Sequence, residues 1–264
     1  MKILITGGNG YIAKALSFNL DNVTSVTRKD FDLTDREATD DWFYGRYFDI
    51  VIHTAIKGGS RLQKDNSDVF YQNIQMFYNL LNNKHCFGKL LNFGSGAELN
   101  MPTDPYGLSK NVISKIIDLT DNFYNIRIYG VFDENELDTR FIKSNIKRYI
   151  NKQPIIIHQD KLMDFFYMKD LIKLVKYYIN VNHNYLPKHI DCSYSYHHSL
   201  DGIADIINNL SKHKVEIKTK TPGHSRYIGK YTPIISDYIG LEQGIKETYK
   251  KIKNGKNQFL YSIS

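Results

Sequence analysis

The sequence predicts an α/β fold, a Rossmann-like doubly wound parallel sheet with a small C-terminal lobe. Three observations predict it. Short apolar runs alternate with longer amphipathic ones, as in repeated βαβ units. A glycine-rich turn follows the first apolar run directly. The length of 264 residues, 42% hydrophobic and 24% charged, suits one large domain or a domain with a small lobe.

Taken in order, Lys2–Thr6 reads as a buried strand, Tyr11–Leu20 as a helix and Val23–Thr27 as a second strand. Thr34-Asp35-Arg36-Glu37 has the spacing of a capping box and opens a helix that runs to about Tyr47. Asp49–His53 is a third strand, Asp65–Asn83 a long helix, Lys89–Phe93 a fourth strand, Gly107–Asn122 a helix and Asn125–Tyr129 a fifth strand. The pattern then loosens. Helices are expected at Thr139–Asn151, Lys169–Asn180, Leu200–Ser211 and Leu241–Lys253, with strands at Pro154–His158, His189–Cys192 and Val215–Ile217. Residues 1–133 and about 164–192 are expected to form the nucleotide-binding part. Residues of about 134–163 and 193–264 form the lobe over the carboxyl ends of the strands, where open α/β sheets bind ligands.

Composition excludes several classes. Two cysteines, Cys86 and Cys192, make neither a disulfide scaffold nor a cysteine-built zinc site, and a reduced, cytoplasmic protein is the simplest expectation. No apolar run approaches the ~18 residues of a membrane span. The 35 Lys and Arg against 28 Asp and Glu give +7, but the cations are spread out and no arginine-rich arm suggests a nucleic-acid partner. No histidine pair has metal-ligand spacing on a helix, so no metal is expected.

The chemistry begins at Thr6-Gly7-Gly8-Asn9-Gly10-Tyr11-Ile12-Ala13. Between a strand and a helix, Gly7 allows a tight turn, Gly10 lets the backbone approach a pyrophosphate and small Ala13 permits close packing. The helix N-terminus offers free amides to phosphates. After the second strand stands Thr27-Arg28-Lys29, where NAD sites carry a carboxylate. A cation there suits the 2′-phosphate of NADP, so NADP(H) is favoured over NAD(H). Nearby Asp30 leaves a ribose contact open, and an adenine could rest at Asp32-Leu33.

Tyr106 and Lys110 stand at i and i+4 of a helix. About two such pairs are expected by chance, and the second, Tyr249 with Lys253, lies in the last helix. Position favours Tyr106, because it follows the strand that ends in Gly94-Ser95-Gly96. A tyrosine titrates near ~10, too high for proton donation at neutral pH unless a cation lowers it. Lys110 supplies that cation and Ser95 a hydrogen bond to a substrate oxygen.

These motifs, with His53-Thr54-Ala55 and Asp164-Phe165-Phe166-Tyr167-x-x-Asp170, resemble the extended short-chain dehydrogenase/reductases, the NAD-dependent epimerase/dehydratase family. The stretch from Arg28 through Lys57-Gly58-Gly59 and Tyr71-Gln72-Asn73 to Ser95 is most similar to GDP-L-fucose synthases and related nucleotide-sugar 4-keto reductases. The resemblance implies an NADPH enzyme of a nucleotide-activated sugar, with Ser95, Tyr106 and Lys110 catalytic. It implies cofactor contacts at Gly7, Gly10, Tyr11, Ile12, Arg28, Asp32, Leu33, Thr54, Ala55, Asn73, Lys110 and Val131. Lys57 and Arg148 fall where relatives bind substrate, with Lys161 and Arg226 as further phosphate-binding candidates. It also implies a homodimer through the helices at Asp65–Asn83 and Gly107–Asn122.

Some positions depart from the family pattern. Ala97 and Arg140 stand where epimerising relatives place Cys and His, which argues against 3,5-epimerisation. Met163 replaces a substrate-binding Arg, and Gly130 an Asn. Two alternatives stay open: a nucleotide-sugar 4-epimerase that retains NAD, and a non-catalytic dinucleotide sensor on the same fold.

Overall fold

The computed structural model describes residues 1–60, 63–182 and 185–255, the side chain of His224 aside. Along the chain run β1 (Ile3–Thr6), α1 (Tyr11–Asn19), β2 (Val23–Val26), α2 (Arg36–Phe43), β3 (Phe48–His53), α3 (Ser67–Asn82), β4 (Phe87–Ser95), α4 (Ala97–Asn100), α5 (Pro105–Asp118) and β5 (Phe123–Ile128). There follow β6 (Val131–Phe132), α6 (Phe141–Ile150), β7 (Ile155–Met163), β8 (Phe166–Tyr167), α7 (Met168–Asn180), β9 (His189–Asp191), α8 (Leu200–Asn208), β10 (Ile217–Tyr227) and α9 (Leu241–Lys253). The chain divides into two compact units, Met1–Ile128 with Val175–Ile190, and Tyr129–Leu174 with the residues from Asp191 on.

The first unit is built on a six-stranded sheet in the order β2-β1-β3-β4-β5-β9, parallel from β2 through β5. Its inner strands read as unbroken apolar runs because helices cover both faces. All four residues of β1 are buried, as are Ile50, Val51 and Ile52 of β3. One face packs Leu4, Val51 and Leu90 against Phe43, Phe77, Leu80 and Ile113. Trp42 joins it, stacked on Phe31 at 4.7 Å and Phe48 at 5.7 Å between ring centres. Between β1 and β3 the order reverses, and there a doubly wound sheet opens a crevice.

Two local readings are corrected. The capping box at Thr34 does not form, because Asp32 accepts from both the backbone N (2.9 Å) and Oγ1 (2.8 Å) of Thr34. The cap moves on by one residue, and Asp35 accepts from Ala38 N at 3.1 Å. The short strand expected at Val215–Ile217 instead begins at Ile217 and runs eleven residues as β10, paired in parallel with β7. Its Lys, Thr, Pro and Gly composition reads as loop, and the register shifts between Thr221 and Ser225, around Pro222 and Gly223.

The second unit has its own core. Ile142, Ile146 and Tyr149 of α6, Ile155 and Ile157 of β7, Ile203 and Ile207 of α8 and Ile245 of α9 are all fully buried in it. Tyr249 packs there too, its ring centre 6.0 Å from that of Tyr149, so the second Tyr-Lys pair is structural. Residues 129–133 and 164–174, grouped by the sequence with the nucleotide-binding part, cluster with this unit. The β6–β8 ladder pairs Phe132 with Tyr167, whose hydroxyl donates to Glu247 of α9 at 3.0 Å. Among the described residues no helix is long and apolar enough to cross a membrane.

Asp170 is the polar anchor of the second unit. It is fully buried and accepts from Tyr194 Oη (2.6 Å), Ile239 N (2.8 Å) and Gly240 N (2.9 Å). Asp170→Ala strands three donors and is expected to cost about 3 kcal/mol, read as a lower urea midpoint. An unchanged midpoint would show that the anchor carries no stability.

Candidate functional site

The glycine turn sits at the mouth of the crevice. Gly7 has φ +76, and a Cβ there would lie 2.7 Å from backbone atoms of Ala55 at the end of β3. No side chain other than hydrogen fits that approach. Gly8 N donates to Val26 O at 2.9 Å and Gly10 N to Gly7 O at 2.8 Å, which curls the turn under α1. α1 starts at Gly10 without a capping side chain, so its first turn is presented to a ligand rather than closed off. Thr54 Oγ1 donates to Thr6 O at 2.6 Å, and Thr6 Oγ1 lies 2.8 Å from His53 Nδ1. His53 is buried, and burial, then the charge of Lys110, pushes its imidazole down to about 3. It is therefore a neutral tie between β1 and β3.

A cavity of about 180 Å³ opens beside the turn, lined among others by Gly7, Arg28, Phe31, Asp32, Leu33, Ala55 and Met76. Its apolar walls and concave shape fit an adenine, and the glycine turn with the open helix end fits the diphosphate. Arg28 lies at the rim, exposed, with Nε 3.6 Å from Asp32 Oδ2. The hydrogen bond from Thr34 N holds the Asp32 carboxyl below its ordinary value, with smaller help from Thr34 Oγ1 and Arg28. Asp30 is folded back on its own turn, accepting from Thr27 N at 2.7 Å and Thr27 Oγ1 at 3.0 Å.

Ser95, Tyr106 and Lys110 also belong to the first unit. Ser95 ends β4, and its Oγ accepts from Ala97 N at 3.1 Å. Pro105 at the first helical position starts α5, which sets Tyr106 in the first turn and Lys110 one turn on. Lys110 is only 4% exposed, and Nζ donates to Phe93 O, two residues before Ser95 on β4. Burial lowers its ammonium to about 8, and the Glu98 carboxylate opposes that fall. The Tyr106 ring packs on Gly59, where a Cβ would stand 2.7 Å from Cε2.

Asn73 of α3, expected as a cofactor contact, is hydrogen-bonded within the first unit. Its amide accepts from Lys57 N (2.8 Å) and donates to Lys57 O (3.1 Å) and Ser109 Oγ (3.0 Å). With 1% of its surface exposed, it clamps the loop after β3 to α5. The Lys57 side chain stays exposed, while Gly58 and Gly59, both at positive φ, turn the loop back to Asp65. No local pattern in the sequence marks this clamp or the burial of Glu98. The paired glycines were the visible signal for the loop.

A family model, NAD dependent epimerase/dehydratase family, matches residues 3–191. The chain belongs to this family. It is an enzyme of this nicotinamide-dependent kind. Similar folds occur in a GDP-mannoheptose C4 reductase from Campylobacter jejuni with NADP bound (TM-score 0.81, 17% identity, 96% of this chain and 98% of that chain). They occur also in a UDP-glucuronic acid 4-epimerase from Bacillus cereus with NAD (0.74, 18%, 96% and 99%). A GDP-L-fucose synthetase from Naegleria fowleri bound to NADP matches at 0.72 and 19%, over 97% and 94%. Among curated proteins no sequence match is found.

The departures from the family pattern have packing reasons. Met163 is buried in the second core beside Phe165 and Leu200, where a guanidinium would be desolvated. A Cβ on Gly130 would lie 2.9 Å from the Phe165 ring, so that ring occupies the place of a larger side chain. Val131 lies in β6 and Arg148 in the last turn of α6, both half-buried in the second unit. Lys161 and Arg226 do not converge. Lys161 pairs with Ser225, and Arg226 with Leu162, so the two side chains leave opposite faces of the β7–β10 ribbon. Nζ of Lys161 stands 5.8 Å over the Tyr227 ring.

Gly7→Ala tests the crevice. The new methyl meets backbone rather than a movable side chain, so affinity for NADPH and NADH should fall at least about tenfold in a nicotinamide fluorescence titration. Unaltered affinity would show that the turn is not the phosphate site.

Proposed function

We propose that the chain is an NADPH-dependent reductase of a 4-keto-6-deoxy nucleotide-activated sugar. The observation that carries this reading is the end of β2. Arg28 is exposed and weakly paired with Asp32, whereas Asp30, the carboxylate that could serve a ribose, accepts from Thr27. An exposed pair at 3.6 Å contributes under about 1 kcal/mol, so a 2′-phosphate displaces Asp32 from the guanidinium readily.

The dinucleotide supplies a hydride to the sugar carbonyl. Every other part falls to side chains of the chain. Ser95 hydrogen-bonds the carbonyl oxygen as negative charge develops. Tyr106 gives that oxygen its proton, and the Lys110 ammonium lowers the tyrosine toward neutrality and holds the nicotinamide ribose. Gly10, Tyr11 and Ile12 present amides to the diphosphate, and Thr54 and Ala55 line the cofactor. Lys57 is the first unit's candidate for the substrate diphosphate, and Arg148, Lys161 and Arg226 are the second unit's candidate phosphate-binding cations. The NADP-bound GDP-heptose reductase and GDP-L-fucose synthetase among the similar folds support the reductase. The UDP-glucuronic acid 4-epimerase supports a second reading, a 4-epimerase that keeps NAD and uses the same three residues.

Parallel titrations with NADPH and NADH decide between them. Wild type should prefer NADPH, and Arg28→Ala should lose about tenfold or more in NADPH affinity with NADH unchanged. Tyr106→Phe should bind NADPH normally and turn over no 4-keto sugar. Equal affinities, or NAD that cannot be stripped, would replace the reductase by the epimerase.

We propose further that two copies pair through α3 and α5. These helices pack side by side and expose Tyr71, Tyr78, Leu108 and Leu119. Light scattering should give a dimer for wild type and a monomer for Tyr78→Glu/Leu119→Glu. A monomeric wild type overturns the pairing.

A further inference from the structure

Tyr106 is half-buried in the first turn of α5. Its backbone is fixed from two sides. Ser109 Oγ donates to Tyr106 O at 2.7 Å, and Gly107 lies so close to Met101 O that a Cβ there would stand 1.9 Å away. With the backbone fixed, a tyrosine side chain still turns about its side-chain torsions, and these decide where the hydroxyl sits.

The loop after β3 limits that freedom. All three atoms nearest a Cβ built on Gly59 belong to the Tyr106 ring: Cε2 at 2.7 Å, Cζ at 2.8 Å and Cδ2 at 3.1 Å. The loop therefore stands against the ring carbon that bears the hydroxyl. Asp65 keeps Gly59 in place, its carboxylate accepting from Gly59 N at 3.0 and 3.2 Å. The Asn73 amide pins both Lys57 N and Lys57 O, and it donates to the Ser109 hydroxyl that in turn donates to Tyr106 O. One loop thus borders the tyrosine at its ring and is tied, through Asn73 and Ser109, to its backbone. A turn that needs glycine for its backbone alone looks different. Gly45 has φ +68 and nothing within 4 Å of a Cβ, whereas at Gly59, with φ +71, the Cβ is excluded by the side chain of Tyr106.

We infer that Gly59 and Asp65 are positioning residues for Tyr106: the loop they form holds the phenol ring where its hydroxyl can give a proton to the substrate. The inference rests on Tyr106 being the proton donor, as read above. Gly59→Ala sets a methyl group against the ring. Asp65→Ala removes the hold on Gly59 N and adds no bulk. A reacting group displaced by about 1 Å loses on the order of a hundredfold in rate, so small movements of the ring are readable.

The test is solution NMR of the full chain grown on tyrosine isotope-labelled at Cζ, with the Tyr106 signal assigned by its loss in Tyr106→Phe. It is joined to NADPH titration and to turnover of a GDP-linked 4-keto-6-deoxyhexose as probe. In Gly59→Ala and in Asp65→Ala the Tyr106 signal should shift and kcat should fall about tenfold or more, with NADPH affinity held within about twofold. Gly45→Ala, which carries the same backbone strain away from any side chain, should change neither signal nor kcat. Asp65→Ala carries the comparison if Gly59→Ala does not fold. In Asp65→Ala, an unmoved signal, an unchanged kcat or an equal loss of NADPH affinity overturns the inference and leaves the reductase reading standing. Signals that shift as expected in a chain whose wild type reduces no probe overturn the proton-donor reading, and the positioning role with it.

Discussion

The crevice between β1 and β3 is the constraint on which the site depends. The chain leaves β1 for β2 on one side, and β3 returns on the other, so the two connections diverge above adjacent strand ends. The turn after β1 then passes so close to Ala55 that a Cβ at position 7 would lie 2.7 Å from its backbone, which leaves room only for a glycine, here with φ +76. Thr6, His53 and Thr54 lock the two strand ends by short hydrogen bonds. With that edge rigid, the open start of α1, the apolar cavity at Phe31 and Leu33 and the cation at Arg28 take fixed places around it.

What the sequence reveals of this is what lies within a few residues. The glycine turn, the cation after β2 and the one-turn spacing of Tyr106 and Lys110 are local patterns set by helix and strand periods. The Asn73 clamp is not local: it joins residues 36 apart, Asn73 and Ser109, through a single amide. Glu98 and Arg127 meet across 29 positions, and nothing near Glu98 marks it as buried. The cap at Asp35 was misplaced by one because Asp32 competes for Thr34. β10 was hidden because its ladder with β7 leaves many side chains in water, so no apolar period records it.

In the second unit, packing accounts for substitutions that look like lost function. Met163 and Gly130 both meet Phe165, one within the core and one beneath its ring. Met163 lies buried in one core with Ile157, Leu200 and Ile245. Asp164 of the same signature keeps a polar duty inside it, accepting from Gly229 N at 2.8 Å and lying 2.7 Å from His197 Nδ1.

Two cations of the first unit show how burial assigns roles to like charges. Arg28 and Asp32 stand 3.6 Å apart in water, where screening leaves their attraction weak and the guanidinium is available to a stronger anion. Lys110 is enclosed, and there a field cannot be screened, so whether it keeps its proton is decided by the groups built around it. Exposure leaves the first cation free to exchange partners with a ligand. Enclosure pushes the second down to about 8, so its charge changes at neutral to mildly alkaline pH.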